Sequence, residues 1–385
     1  MQRSLADGAA DRSNGRGKTI LVSANSCWNI VNFRVGLIRA LQGRGFRIVV
    51  AAPDDAYRSK VADLGVDFVA VPINSPGISV IEDLRLLTHY VDVVRELKPF
   101  AFLGFTAKPN IYGSLAARLA GVKVINNISG LGTVFIRRGP LTALVTRLYR
   151  VALRRSSTIF FHNPDDLQLF VGKRIAPRDR AQLLPGSGVD LERFMPRPAV
   201  ATADGGFRFL MVARLLWDKG VAEYVEAARI VRRSHPNARF RMLGRIGADN
   251  RTAVPSSAVE RWQEEGVIDY LGESDDVRTA MAQADCIVLP SYREGLPRAL
   301  LEGSAMSKPL IATDVPGCRD VVEDGRTGYL CAVRSADSLA AAMLKMIATP
   351  ANERLKMGEL GRRKIEQEYG ETRVIDKYFE ALGLR

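Results

Sequence analysis

Ala284-Asp285-Cys286-Ile287-Val288-Leu289-Pro290-Ser291-Tyr292-Arg293-Glu294-Gly295-Leu296-Pro297-Arg298-Ala299-Leu300-Leu301-Glu302-Gly303 reads as a buried strand, a loop and a helix in succession. The apolar run 284–290 is the strand, and 298–306 carries the helix. Pro297 suits the first helical position, where its fixed φ helps and its missing N–H is not needed. Glu294 and Gly295 then lie in the strand-to-helix loop, and Glu302 about one turn into the helix. A helix N-terminus at the carboxyl end of a parallel strand attracts anions. Two acids placed there call for a ligand that offers hydroxyls beside phosphate.

The same alternation extends along the chain. Strand patterns at 19–24, 46–52, 66–71, 101–105, 122–125 and 158–161 are interleaved with helical patterns at 32–42, 81–97 and 110–120. After a stretch rich in Pro, Gly and Ala at 185–206 the pattern restarts. Strands at 207–213, 239–243, 267–271, 285–289 and 309–313 follow, with a helix at 221–234 and two charged helices over 352–382. This predicts an α/β protein of two Rossmann-like domains. The expected divisions are a disordered tail at 1–17, an acceptor-binding domain at 18–184, a linker at 185–206, a nucleotide-binding domain at 207–365 and a C-terminal helix at 366–385 that packs back on the first domain. Paired sheets of this kind are expected to face a central cleft.

Composition narrows the class. The chain has 385 residues, 47% of them hydrophobic, enough for two cores. No apolar run is long enough to span a bilayer, and the polar first residues lack the apolar region of a secretion signal. Cys27, Cys286, Cys318 and Cys331 show no ligand spacing and read as core thiols of a reducing compartment. The net charge of +13 falls wholly in residues 1–184, which hold 26 Lys and Arg against 13 Asp and Glu. From Leu97 to Pro164 there are ten basic residues and no acid. Surfaces ordinarily mix both signs, so this stretch points to a polyanionic partner. Within it, 140–156 projects Leu141, Leu144, Val145, Leu148, Val151 and Ala152 to one side and Arg147, Arg150 and Arg154 to an adjoining one. That is the pattern of an interfacial helix on an anionic membrane, or of a core helix with a solvated basic face. The neutral second half and the lack of a recognition module argue against a nucleic-acid partner.

The strand at 207–213 ends in Arg214, and Lys219 follows in its loop. Arg offers a planar fork and Lys a compact charge for phosphate oxygens. Together with the amides at Gly295 and Leu296 they are placed to hold a diphosphate and stabilise it as a leaving group. The alternative is that both cations form surface ion pairs with Asp218 or Glu223. Two carboxylates also serve glycosidases, but helical rise sets Glu294 and Glu302 too far apart for a ~5 Å retaining pair.

Glu294-x7-Glu302 with the upstream Arg214-x4-Lys219 resembles the retaining glycosyltransferases of family 4, which have the GT-B fold. Residues 186–190, 272–277, 316–322 and 324–330 match as well, and the resemblance covers about 18–370. Residues 105–113 and 127–135 resemble the PglA-like polyprenyl-diphosphate-saccharide N-acetylhexosaminyltransferases. The resemblance implies that Arg214 and Lys219 bind the donor diphosphate, Glu294 the hexose and Glu302 the ribose. It puts Gly295 and Leu296 on phosphate and sugar, and the base near Leu271. It implies catalysis through Glu294, Arg214 and Lys219, and an acceptor met by Lys108, Asn127, His162, Arg137 and Arg138. A UDP-sugar donor, a lipid-linked saccharide acceptor and a peripheral place on the inner face of the cell membrane follow, with Arg147, Arg150 and Arg154 touching lipid. With no Asp-x-Asp in the chain, neither metal nor cofactor is expected. The alternatives are a GT-B nucleotide-sugar epimerase, or a family 4 transferase acting on a different sugar acceptor. Two departures stand out: 23–29 lacks the family's Gly-Gly, and Asn126, Asn127 and Ser129 stand where many members have a histidine.

Overall fold

The structure is a computed structural model that describes residues 15–73, 79–130, 139–197, 206–247, 250 and 252–384. The chain divides into two compact units, one of Met1–Ser187 with Glu371–Arg385 and one of Gly188–Gly370.

In the first unit the described strands are β1 (Thr19–Ser23), β2 (Arg47–Ala52), β3 (Asp67–Ala70), β4 (Ala101–Phe105), β5 (Lys123–Ile128), β6 (Thr158–Phe161) and β7 (Ala181–Leu183). They form one parallel sheet in the order β3-β2-β1-β4-β5-β6-β7. β1 and β4 are continuous apolar runs because helices cover both faces, and Ile20, Leu21, Val22, Phe102 and Leu103 are fully buried. The chain builds outward in one direction from β1 and then in the other from β4. The carboxyl ends of these two strands therefore diverge into a crevice, the usual ligand position in such sheets.

The second unit repeats the scheme with β8 (Arg208–Val212), β9 (Arg239–Leu243), β10 (Asp269–Tyr270), β11 (Cys286–Leu289), β12 (Leu310–Thr313) and β13 (Gly328–Cys331). Its order is β10-β9-β8-β11-β12-β13, again parallel throughout. Here the reversal falls at β8 and β11, the two strands whose following loops carry Arg214, Lys219 and Glu294. Val189 and Phe194 are buried in this unit's core, and Arg362 holds the carbonyl oxygens of Phe194 and Ala305 at 2.7 and 2.8 Å.

The last helix, Glu371–Leu382, belongs to the first unit. Val374, Tyr378 and Leu382 recur every four residues on one face and are buried beside Ile20, Val22, Phe105 and Phe160. Two helical expectations need correction. The pattern at 32–42 is two helices, Cys27–Phe33 and Val35–Gly43, broken at Arg34 (φ −128, ψ 0), whose buried guanidinium stacks 3.9 Å from the Phe105 ring. The pattern at 110–120 opens with a π-helical turn over Pro109–Gly113 before the α-helix Ser114–Leu119. The four cysteines are free and buried; burial pushes the Cys27 thiol up to about 11 and that of Cys331 to about 12. Among the described residues no helix is long and apolar enough to cross a membrane.

Candidate active site

Lys219 ends a single 3-10 turn, Trp217–Lys219, that follows β8. Gly220 comes next in the left-handed region (φ 74), and a Cβ there would overlap the Pro290 carbonyl oxygen. Only glycine lets the loop after β8 close onto the loop after β11. The two are also joined by the Tyr292 N–H, which donates to the Asp218 carbonyl at 2.9 Å. The Tyr292 hydroxyl donates to Glu223 Oε1 at 2.7 Å.

This closure brings Lys219 and Glu294 into contact. Lys219 Nζ bonds Glu294 Oε1, and Ser291 Oγ donates to the same oxygen at 2.7 Å. Both charged side chains are partly shielded, at 22% and 13% exposure. Ser291 is fully buried and its carbonyl accepts from Thr313 Oγ1 at the end of β12. A third loop closes from the β12 side. Gly317 (φ 82) lies so near Glu294 and Gly295 that an added Cβ would stand 2.7 Å from Gly295 O and 2.8 Å from Glu294 O. The sequence suggested partners for Lys219 in Asp218 or Glu223; the structure gives it Glu294 instead.

Arg214 leaves the end of β8 exposed to solvent, with no side-chain hydrogen bond or ion pair to any described residue. The neighbouring rim is fixed by backbone bonds. Gly244 N–H donates to Gly272 O at 2.9 Å, Tyr270 Oη donates to Gly244 O at 2.9 Å, and Leu271 N–H donates to Met242 O at 2.8 Å. Leu271 is 41% exposed there. Arg214, Gly244 and Leu271 thus follow the carboxyl ends of β8, β9 and β10 in turn.

Glu302 lies on the helix Arg298–Ala305, with Pro297 at its N-cap, one residue before the predicted place. Gly295 is buried and Leu296 half-buried just before that helix. Glu302 is 8% exposed and its Oε1 is 2.6 Å from Arg298 Nε. Burial raises its pKa, and the Arg298 charge works against the rise. The sequence assigns no site role to Ser291, Gly220, Gly317 or Arg298. The glycine after Lys219, directly before an apolar helical run, was the signal available for the first closure.

The residues read as meeting an acceptor are differently placed. Lys108 Nζ is 3.0 Å from Asp83 Oδ1, and both are shielded from solvent. Asn127 is buried: its Nδ2 donates to Tyr378 Oη at 2.8 Å, and its Oδ1 accepts from Ser129 Oγ at 2.8 Å. Beside it, Asn126 Nδ2 donates to Asn110 Oδ1 (2.9 Å) and Ser114 Oγ (2.7 Å), and its Oδ1 accepts from Ser156 Oγ (2.6 Å). His162, at the end of β6, is buried with Nε2 unpartnered; burial and then the Arg34 charge lower its pKa to about 3. Arg137 and Arg138 lie outside the described residues.

The helix Pro140–Leu153 divides the apolar side that the sequence drew as one. Val145, Leu148 and Ala152 pack on the core, whereas Leu144 and Val151 are 43% and 53% exposed. The side chain of Leu141 is outside the description. Arg147, Arg150 and Arg154 are all exposed. Among the described residues no group of three or more His, Cys, Asp or Glu is arranged to hold a metal ion.

Comparison with known proteins places this geometry. Residues 19–163 match the family "Glycosyl transferase 4-like", and residues 196–364 match "Glycosyl transferases group 1". An N,N'-diacetylbacillosaminyl-diphospho-undecaprenol alpha-1,3-N-acetylgalactosaminyltransferase of Campylobacter jejuni is 25% identical over 91% of this chain and 95% of its own. A UDP-Gal:alpha-D-GlcNAc-diphosphoundecaprenol alpha-1,3-galactosyltransferase of Escherichia coli is 25% identical over 72% of this chain and 73% of its own. In fold, the chain is similar to HepE of Anabaena in complex with UDP-glucose, with a TM-score of 0.76, 15% identity and coverage of 95% and 99%.

Proposed function

Because this chain belongs to the GT-B glycosyltransferases of family 4, we propose that it moves an N-acetylhexosamine from a UDP-sugar to a polyprenyl-diphosphate-linked saccharide, with retention and without a metal. The observation that carries the reading is the contact of Lys219 with Glu294 at the strand reversal of the second unit, with Arg214 beside it on the same edge. The Campylobacter relative, named for N-acetylgalactosamine transfer to a lipid diphosphate, supports the sugar and the acceptor.

In this reading the donor diphosphate takes Lys219 from Glu294 and also engages Arg214. The released Glu294 carboxylate then accepts from hexose hydroxyls, and Glu302 accepts from the ribose. The anomeric C–O bond breaks with its electron pair on the β-phosphate oxygen, where the two cations stabilise it. The acceptor hydroxyl attacks from the same face, and its proton passes to that oxygen. No enzymic nucleophile is needed, and the anomeric configuration is kept. The basic surface of the first unit would hold the enzyme at the inner face of the membrane, where a lipid diphosphate is presented.

A panel of radiolabelled UDP-sugars with polyprenyl-diphosphate saccharides tests this. UDP-N-acetylgalactosamine should be consumed, giving an α-linked product, with or without EDTA. Turnover of UDP-galactose instead would favour the chemistry of the Escherichia coli relative. An inverted product or a strict divalent-metal requirement would overturn the mechanism.

A further inference from the structure

Three helices of the first unit, Ser114–Leu119, Pro140–Leu153 and Pro164–Gly172, end around one pocket. Each lies between parallel strands, so their carboxyl ends stand at the amino-terminal edge of the sheet, remote from the ends of β1 and β4. The pocket measures about 610 Å³ and is lined by Arg118, Arg150, Arg154, Arg174 and Arg178 together with the apolar Val151, Val171 and Ile175. Among the described residues no carboxylate lines it.

Helix carboxyl ends attract cations, and two of the five arginines answer that need. Arg118 Nη1 donates to Val151 O at 3.0 Å. Arg150 donates to Arg174 O and Lys173 O, each at 3.1 Å. The other three are in excess. Arg154, Arg174 and Arg178 are exposed and make no side-chain hydrogen bond or ion pair with any described residue. Five like charges around one concavity repel, which favours an anion able to bridge them.

The surroundings say which anion. Leu144, Arg147, Val151 and Arg154 follow at helical spacing and are all exposed, forming a stripe of alternating apolar and basic side chains that runs into the pocket. Leu119, next to the pocket's Arg118, is 74% exposed. A free phosphate would have no use for these apolar groups, whereas a lipid buries them at the level of its glycerol and upper acyl chain. We propose that this pocket binds the phosphodiester headgroup of an anionic lipid, with Arg154, Arg174 and Arg178 on the phosphate and Leu144 and Val151 at the acyl boundary. The proposal deepens the membrane-bound reading given above and rests on it for the source of the lipid. It adds Arg118, Arg174 and Arg178, from outside the amphipathic helix, to the contact.

The test is sedimentation of the full chain with vesicles of phosphatidylglycerol and phosphatidylcholine. Combined Arg154→Gln, Arg174→Gln and Arg178→Gln should lower partition on the order of a hundredfold, and each single change about fivefold. A control of equal charge change, Arg85→Gln, Arg95→Gln and Lys98→Gln, should lose no more than about threefold. Equal losses for both triples would reduce the pocket to bulk charge and overturn the proposal. So would a wild type that ignores phosphatidylglycerol vesicles but is raised in Tm by inorganic phosphate through the three arginines, the sign of a free-phosphate site. The single variants serve if the triple is misfolded. Vesicle binding needs no donor, so failure of UDP-sugar turnover and failure of this pocket are separately visible.

Discussion

The two units share one topology but use their polar residues in opposite ways. In the second, the charged side chains at the strand reversal meet in a partly exposed contact, Lys219 with Glu294, backed by the buried Ser291. In the first, the comparable edge turns its polar groups inward: Asn126 and Asn127 are bonded to Asn110, Ser114, Ser156 and Tyr378, and Lys108 to Asp83. Under the proposed function a diphosphate imposes fixed chemistry, so the residues that would meet it stand out by type and spacing. A saccharide acceptor imposes a shape, which polar residues can support from inside without touching it.

The comparison breaks first at Lys219. Lys219→Ala should lower kcat/KM for the UDP-sugar by at least about a hundredfold, the usual consequence of removing one stabiliser of leaving-group charge. The folded state should persist, since the side chain lies in a solvent-accessible contact. Unchanged steady-state kinetics would remove this residue from the site and leave the second unit no more functional than the first. Next comes Gly220→Ala, which forces a Cβ into the Pro290 carbonyl at φ 74. A loss of about 2–3 kcal/mol in urea unfolding is expected, with a raised donor KM as the loops after β8 and β11 part. Full stability would show that the closure is looser than drawn.

Much of this was legible beforehand, and the reasons are local. The runs at 101–105, 158–161 and 239–243 were read to the residue because buried parallel strands are continuous and apolar. β7 and β13 escape the pattern because, at three and four residues, they are too short to show a continuous apolar run. Arg34 could not have been foreseen as a helix break, since its stacking partner Phe105 is far along the chain. In the candidate site Lys219, Glu294 and Glu302 were named from spacing. Ser291, three residues before Glu294, was passed over because only the fold turns its hydroxyl onto that carboxylate. Arg298 was passed over although it stands one helical turn before Glu302.

A smaller effect sharpens the first unit's side of the contrast. His162 is buried and neutral, with its pKa lowered to about 3 from the ordinary 6.5. The unfolded chain binds a proton there below about pH 6.5 while the folded chain does not, so stability is full above that pH and falls as pH falls toward 3. At about pH 5 the loss from this one group is near 2 kcal/mol. In His162→Gln the stability–pH curve from pH 7 to 5 should be flatter by up to one proton. A curve parallel to the wild type would mean that the folded imidazole titrates as it does in the unfolded chain, and so is not held neutral by burial.

The smallest expected effect is the most selective. Tyr378 reaches the first unit from the far end of the sequence, fully buried with its ring 5.1 Å from that of Phe160 and 6.1 Å from that of Phe105. Its hydroxyl also fixes the Asn127 amide at the end of β5. Tyr378→Phe keeps the ring and removes only that bond, leaving a buried N–H unpaired at a cost of about 1–2 kcal/mol. If Asn127 shapes an acceptor site from within, the variant should raise the acceptor KM a few-fold while the donor KM holds. A change in donor KM alone would show that this polar network serves the nucleotide sugar after all, and the division of labour drawn from the two edges would fail.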